Sequence, residues 1–461
     1  MEEKSDRSRK NRGLILILFL LTAVCAIFVL FRPDREELPA MQETTEPIQI
    51  ATEAETEEET EPTETQVPAT EPVGKVSTAT IGATGDLLLH DRVIESGYDA
   101  ETGEYHYEDI FQWFSLYVSQ MDYAAANLEV TLAGNENGRK YSGYPSFNAP
   151  DAIVDAAKAA GFDMLLTANN HTYDTGYEGF VRTQQVIQDR ELDYIGTREH
   201  VEDKNYLVQE INGIRVGMIC YTYCTAMDSK GTVKLNGNAL SAEAAGLVNY
   251  FYYKKLDAFY EKLGSEMEQM KAEGAEAIVL FIHWGTEYKT FPNALQKQMA
   301  QALCDLGIDV IVGNHAHVAQ DVELLTSGTD ENRKTLCIYS TGNSISNIRR
   351  SKSRPAHTED GMLFQFTLAK YSDGTVLVES CEVLPTWVWR FNDESGVRRY
   401  RILTMEEGAD WAAQMDLDEA TAEECRRSFD RTMKIVGPGL ETANAWFAER
   451  QAETEARLGI Q

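Results

Sequence analysis

From residue 78 to 385, short apolar runs alternate with amphipathic helical stretches, a pattern that admits little besides an α/β core. TATIGATG reads as a strand ending at Asp86, DYAAANLEV as a short apolar strand before Glu129, and DMLLTANN as a third, after the helical DAIVDAAKAAGF. A helical VRTQQVIQDREL, a strand DYIGT and a hairpin turning at Asn212-Gly213 follow. One long helix is expected over 241–273, then strand AIVLFIHWG, helix LQKQMAQALCDLG and strand DVIVGNHAH. Three further strands, TLCIYSTGN, GMLFQFTLAKY and TVLVESCEVLP, complete a domain expected over 78–390. Beyond Arg390 the pattern reads as charged helix with a break at Gly437-Pro438-Gly439, so 391–461 is expected to be a helical appendage.

The first 77 residues have a different character. Residues 1–12 are basic, and 13–31 form an uncharged apolar run long enough to cross a bilayer. Lys and Arg before the run place the N-terminus in the cytoplasm and the main domain outside the cell. A cleaved signal peptide is disfavoured, because its apolar region is shorter and ends in a small-residue site. Segment 32–77 is rich in Glu, Thr and Pro with almost no aromatic side chain, which predicts a disordered acidic stalk. The expectation is a single-pass protein of the cell membrane.

A formal charge of −32 argues against a nucleic-acid partner, which would demand clustered Lys and Arg. Seven cysteines, one inside the apolar run, are too sparse for a disulfide framework. Cys220 and Cys224, in CYTYC, are either a local bridge or two buried thiols.

Chemistry gathers at the strand ends. His315 and His317 lie two apart after an apolar run, the spacing at which a strand turns two side chains to one face. Gly85-Asp86, Asn127-Leu128-Glu129, Asn169-Asn170-His171 with Asp174, and His283-Trp284-Gly285 with Glu287 end other runs. Strand carboxyl ends are where α/β folds collect ligands. Two carboxylates, an amide and four imidazoles make a donor set for two divalent ions, Mn, Fe or Zn rather than Ca, acting on a phosphoester. Taken singly, Asp86 could cap a helix, Glu129 and Glu287 could be surface acids, and His90 divides evenly between ligand and surface residue. Trp284 and Tyr288 read as core or pocket wall, Asn343 as part of a tight turn, and His106, His200 and His357 as ordinary.

GATGDLLLH, AANLEVTL, LLTANNHTYDTG, FIHWGTEY, VGNHAHVAQ and IYSTGNSISN, in that order across 80–385, resemble the CapA-type capsule-synthesis proteins of poly-γ-glutamate biosynthesis. That family is similar in fold to calcineurin-like metallophosphoesterases, so the resemblance implies a layered α/β/β/α sandwich. It also implies metal roles for Asp86, Glu129, Asn170, His283, His315 and His317, with Glu129 bridging. His171 would be the general acid and Asp174 its orienting partner, with Asn127, Asn169, Trp284, Glu287, Tyr288 and Asn343 around the substrate. The chain departs from the phosphoesterase pattern at Leu88, where a histidine is usual, at Glu129 in place of aspartate, and at Thr172 in place of an acid. These departures point to a weak or empty first metal site.

The functions implied are a capsule or polyglutamate factor with a hydrolase site, working beside membrane-embedded synthase subunits, or a non-catalytic export or scaffold subunit that grips anionic polymer. A third is an extracellular phosphoesterase unrelated to capsule.

Overall fold

The computed structural model describes residues 74–351 and 356–460. The expectations for 1–12, 13–31 and all but the end of 32–77 lie outside the described residues. Among the described residues no helix is long and apolar enough to cross a membrane.

The chain enters on β1 (Lys75–Leu87), starting inside the segment expected to be stalk, and continues through β2 (Tyr123–Leu128), β3 (Met164–Leu166) and β4 (Asp193–Ile195). Helix α1 (Ala152–Ala160) joins β2 to β3 and α2 (Gly176–Gln188) joins β3 to β4, and the four strands run parallel. β5 (Leu207–Ile211) and β6 (Ile214–Tyr223) form the expected hairpin, with Asn212 at φ 50° and Gly213 at φ 79° in its turn. A small sheet, β7 (Ala226–Met227), β8 (Val233–Leu235) and β9 (Asn238–Ala239), is inserted next.

The expected 241–273 helix is interrupted by β10 (Tyr250–Phe251), so that only α3 (Leu256–Ala272) is long. Phe251 is buried beside β6, and its burial outweighs the helical propensity of its neighbours. Then come β11 (Ala277–His283), α4 (Ala294–Leu306), β12 (Val310–Asn314), β13 (Val322–Thr326) and β14 (Lys334–Ile338). The chain closes with β15 (Asn343–Ile345), β16 (Asp360–Tyr371), β17 (Val376–Asn392), β18 (Arg398–Thr404) and α5 (Glu419–Leu458).

Two large mixed sheets result, ordered β18-β17-β16-β1-β2-β3-β4 and β10-β6-β11-β12-β14-β13. Period-2 alternation explains their stacking. Val279 and Phe281 of β11 meet Ala79, Ile81 and Ala83 of β1 in a core between the sheets, whereas Ile278, Leu280 and Ile282 turn outward to α3 and α4. The outer face of the first sheet is covered by α1 through Ile153, Val154 and Ala157. The order of layers is helix, sheet, sheet, helix.

The C-terminal appendage expectation is corrected. β17 runs on to Asn392, and β18 adds an edge strand to the first sheet, with Tyr400 and Ile402 turned into its outer core. α5 is continuous through Gly437-Pro438-Gly439 and lies along β17 and β13. Gly439 marks the closest approach, since a Cβ there would sit 1.8 Å from the Val322 carbonyl oxygen. Val436, Leu440, Ala443 and Phe447 join the inter-sheet core, at about 1.5–3 kcal/mol for each large apolar side chain. Cys220 and Cys224 are buried free thiols, one facing the inter-sheet core and the other the cluster beneath the small sheet, so no bridge forms.

Candidate metal centre

The carboxyl ends of β1, β2, β3, β11 and β12 open toward one place, and each carries a donor there. On β1 a register shift between Thr84 and Asp86 re-aims the aspartate. Gly85 makes this fit, because a Cβ would lie 1.9 Å from the Gly342 carbonyl oxygen. Asp86 pairs in register with both Asn127 and Asn343, so three polar side chains sit together at the sheet end. Past β12, His315 and His317 take positive φ of 95° and 56°. Left-handed backbone at two non-glycine residues stores strain, and such strain clusters at functional sites.

Two donor groups share one carboxylate. Glu129, His283 and His315 form the first; Asp86, Glu129 and His317 the second, with ligand atoms inside each group within 4.8 Å of one another. In the first, His283 Nε2 lies 2.6 Å from Asn170 Oδ1, 3.2 Å from His315 Nδ1 and 3.4 Å from Glu129 Oε1. Four donors therefore converge. In the second, His317 Nδ1 lies 2.9 Å from Asp86 Oδ2 and 3.0 Å from Asn343 Oδ1, and its Nε2 lies 4.0 Å from Glu129 Oε1.

Burial makes this arrangement costly without a cation. Both oxygens of Glu129 and Nδ1 of His283 are buried with no hydrogen-bond partner among the described residues. An unsatisfied buried polar group costs about 1–3 kcal/mol, and more when charged. Desolvation pushes Glu129 well above the usual carboxylate range, and the nearby Asp86 charge adds to it. Burial also pushes His283 down to about 3 and His315 well below the imidazole range, so both present neutral rings. For Asp86 burial is opposed and outweighed by the hydrogen bond and charge of His317, which hold it low; His317 rises in return against its own burial. Buried carboxylates beside two neutral imidazoles are a donor set that could hold a divalent metal.

The surrounding residues fall into place around these donors. Asn127 Nδ2 donates to Asp86 Oδ1 at 2.8 Å, and Asn169 Nδ2 donates to Asn127 Oδ1 at 3.2 Å and to the Leu128 carbonyl at 2.9 Å. Asn343 Nδ2 donates to the carbonyls of His317 and Thr358, so it holds the histidine loop rather than closing a hairpin. His171 Nδ1 is 2.7 Å from Asp174 Oδ2, which also accepts from the Phe147 amide at 2.8 Å. The Tyr288 ring is 6.0 Å from His317, and exposed Glu287 acts on His317 by its charge.

Trp284, expected on the pocket wall, is instead fully buried in the core under α4, stacked on Tyr339 with Nε1 donating to the Tyr339 carbonyl at 3.0 Å. Successive strand residues point to opposite faces, so when His283 faces the site Trp284 cannot. His90 belongs to neither donor group. Its ring packs edge-on against Phe147 at 5.2 Å and burial lowers it to about 4. Leu88, in place of a histidine, points into the outer core. His106 and His200 are exposed, and His357 pairs with Glu359 at 3.2 Å.

Sequence reasoning missed three neighbours. Asn236, in the β8–β9 turn, places Nδ2 3.4 Å from His171 Nδ1, and Asn238 Nδ2 donates to Asp174 Oδ1 at 3.4 Å. Tyr223 sets its ring 4.9 Å from that of His315. An asparagine-glycine turn marked Asn236-Gly237, but nothing in the local pattern ties it to a histidine 65 residues earlier.

Fold and site together define an α/β protein with a buried candidate metal centre at the junction of two sheets. The chain belongs to the bacterial capsule synthesis protein PGA_cap family, whose model matches residues 80–348. It is similar to the capsule biosynthesis protein CapA of Bacillus anthracis, with 28% identity over 73% of this chain and 76% of that protein. It is also similar to the PGA biosynthesis protein CapA of Bacillus subtilis, with 27% identity over 65% and 70% of the two chains. A Staphylococcus aureus protein solved with α-ketoglutarate under the provisional name 5′-nucleotidase matches at TM-score 0.40 and 15% identity, over 67% of this chain and 54% of that one.

Proposed function

We propose that the protein is a membrane-anchored, extracellular capsule or poly-γ-glutamate biosynthesis factor whose strand-end site is a metal-dependent, phosphoesterase-like hydrolase centre. The observation that carries this reading is Glu129: a fully buried carboxylate with neither oxygen hydrogen-bonded, shared by two groups of donors. Asn170, His283, His315 and Glu129 would hold one divalent ion, and Asp86, His317 and Glu129 the other. Bound ions of this kind supply Lewis acidity and a water of lowered pKa.

The chain's own residues provide the rest of the chemistry. Asp174 accepts from Nδ1–H of His171, orients the ring and stabilises its imidazolium form, whose Nε2–H can be handed to a departing oxygen. Asn238 braces Asp174 from the inserted sheet, and Asn236 lies beside His171 on the same side. Asn127 and Asn169 hold Asp86 in place behind the reacting zone.

The expected partners are the membrane, through 13–31, membrane-embedded synthase subunits and an anionic polymer. A second reading, a non-catalytic subunit that grips polyanion through bound cations, is favoured by Leu88, which leaves the Asp86 group one donor short of the phosphoesterase pattern. Metal analysis of the full-length protein with a phosphodiester turnover assay separates the two. Metal with turnover that disappears in His171→Ala supports the hydrolase; metal without turnover supports the gripping subunit, and absence of metal defeats both.

A further inference from the structure

Outside the stretch from β15 to β18, every described arginine but Arg198 is ion-paired with a carboxylate, among them Arg139, Arg182, Arg190, Arg333, Arg431 and Arg457. The stretch from β15 to β18 is different. Within it only Arg399 pairs, with Asp393, while Arg349, Arg350, Arg390 and Arg398 have no carboxylate partner among the described residues. Arg401 lies outside this group, its guanidinium 5.2 Å from the rings of Trp113 and Phe391.

Three of these unpaired arginines, Arg349, Arg390 and Arg398, gather around Tyr400. Arg390 is directly opposite Tyr400 and Arg398 opposite Asn392, so the four side chains share a side of the β17–β18 ribbon. Arg349 reaches the same ribbon by donating to the Val388 carbonyl at 2.8 Å. Burial pushes the Tyr400 hydroxyl up, and the charges of Arg390, Arg349, Arg398 and Arg92 all pull against it. Arg92 is paired only with exposed Glu95, and Glu359, which acts on Arg349 by its charge, forms no ion pair with it.

The cluster connects to His90 and, across Phe147, to His171 beside the metal centre. Asn347 Oδ1 accepts from Arg390 Nη1 at 3.2 Å and from the Tyr400 hydroxyl at 2.7 Å, and the Asn347 amide donates to His90 Nδ1 at 3.5 Å. His90 and His171 in turn pack against Phe147, at 5.2 and 4.7 Å.

Resting on the reading above, we infer that this arginine face is the docking track for a polycarboxylate chain, which it leads past His90 to the metal centre. Guanidinium forks match carboxylates in pairs, and a spaced row of them suits a repeating acid rather than a single small anion. The fixed path from Arg390 to His90 favours a polymer over a membrane surface.

The test uses the full-length protein, fluorescent poly-glutamate and anionic phosphatidylglycerol vesicles. Arg390→Gln with Arg398→Gln is expected to weaken poly-glutamate binding by about tenfold or more, while metal content and melting temperature stay unchanged. Arg426→Gln with Arg427→Gln, which removes two charges from ion-paired positions on α5, is expected to leave binding unchanged. Equal poly-glutamate binding by the wild type and the Arg390/Arg398 variant would overturn the inference. So would an equal loss in the α5 control, or a loss confined to vesicles. Glu129→Ala separates this from the proposed function: loss of metal with polymer binding retained leaves the track standing on its own.

Discussion

The two donor groups that share Glu129 differ in what they lack. Around Asp86 the hydrogen bonds are already made: Asn127 serves one carboxylate oxygen, His317 the other, and Asn343 faces the same histidine. Around His283 four donors converge with both imidazoles neutral, and the Glu129 oxygens that the two groups share are unpartnered. A cation entering either group satisfies Glu129, but one entering the His283 group meets neutral rings, whereas one entering the Asp86 group must displace an ion pair. The lesson is that donor count and prior satisfaction both set affinity, and here they point the same way. The His283 group should bind the tighter ion.

Four measurements sharpen or break this comparison. The largest effect is expected from Glu129→Ala, which removes the donor common to both groups. Both ions should be lost, and phosphodiester turnover should fall by about 10³-fold or more. His171→Ala should lower turnover by about 10²–10⁴-fold while metal content is retained, because this residue stands beside the donors rather than among them. Loss of metal in that variant would merge two roles that the geometry keeps apart.

Acidification should act through Glu129. Its pKa is pushed well above the usual carboxylate range by burial and by the Asp86 charge, so a cation that takes up the carboxylate competes with a proton there. Affinity should then fall by up to about tenfold per pH unit below that pKa. His283, at about 3, and His315, held well below the imidazole range by burial, stay neutral and add no slope near neutral pH. Titration calorimetry in buffers of differing ionisation enthalpy reads the protons released, and Glu129→Gln should remove its share while leaving that of His317, itself raised by Asp86. The smallest effect is expected from Leu88→His. Because Leu88 faces the outer core, the new imidazole should cost roughly 1–3 kcal/mol of stability and add no ion, as thermal unfolding and metal analysis would show.

Much of this comparison was legible in the sequence, because strand ends are where a period-2 pattern stops and polar residues begin. Asp86, Glu129, Asn170, His283, His315 and His317 all announced themselves that way, and the structure brings them together. What stayed hidden depended on tertiary contact. Arg398, Arg399 and Arg401 disguised β18 as charged helix, although Tyr400 and Ile402 between them face the core. Gly437-Pro438-Gly439 looked like a helix end, yet Gly439 is where α5 presses closest on β13. The short strands of the inserted sheet have no periodicity to read, so Asn236 and Asn238 could not be foreseen beside His171 and Asp174. Trp284 was misplaced by adjacency to His283, when alternation alone would have turned it away.

The most direct test of the unequal pair is the metal stoichiometry and affinity of the full-length protein beside His315→Ala and His317→Ala. The account predicts two ions in the wild type, one tighter than the other. His315→Ala should lose the tighter ion, and His317→Ala only the weaker. Equal metal content in all three proteins, or selective loss of the tighter ion in His317→Ala, would contradict it.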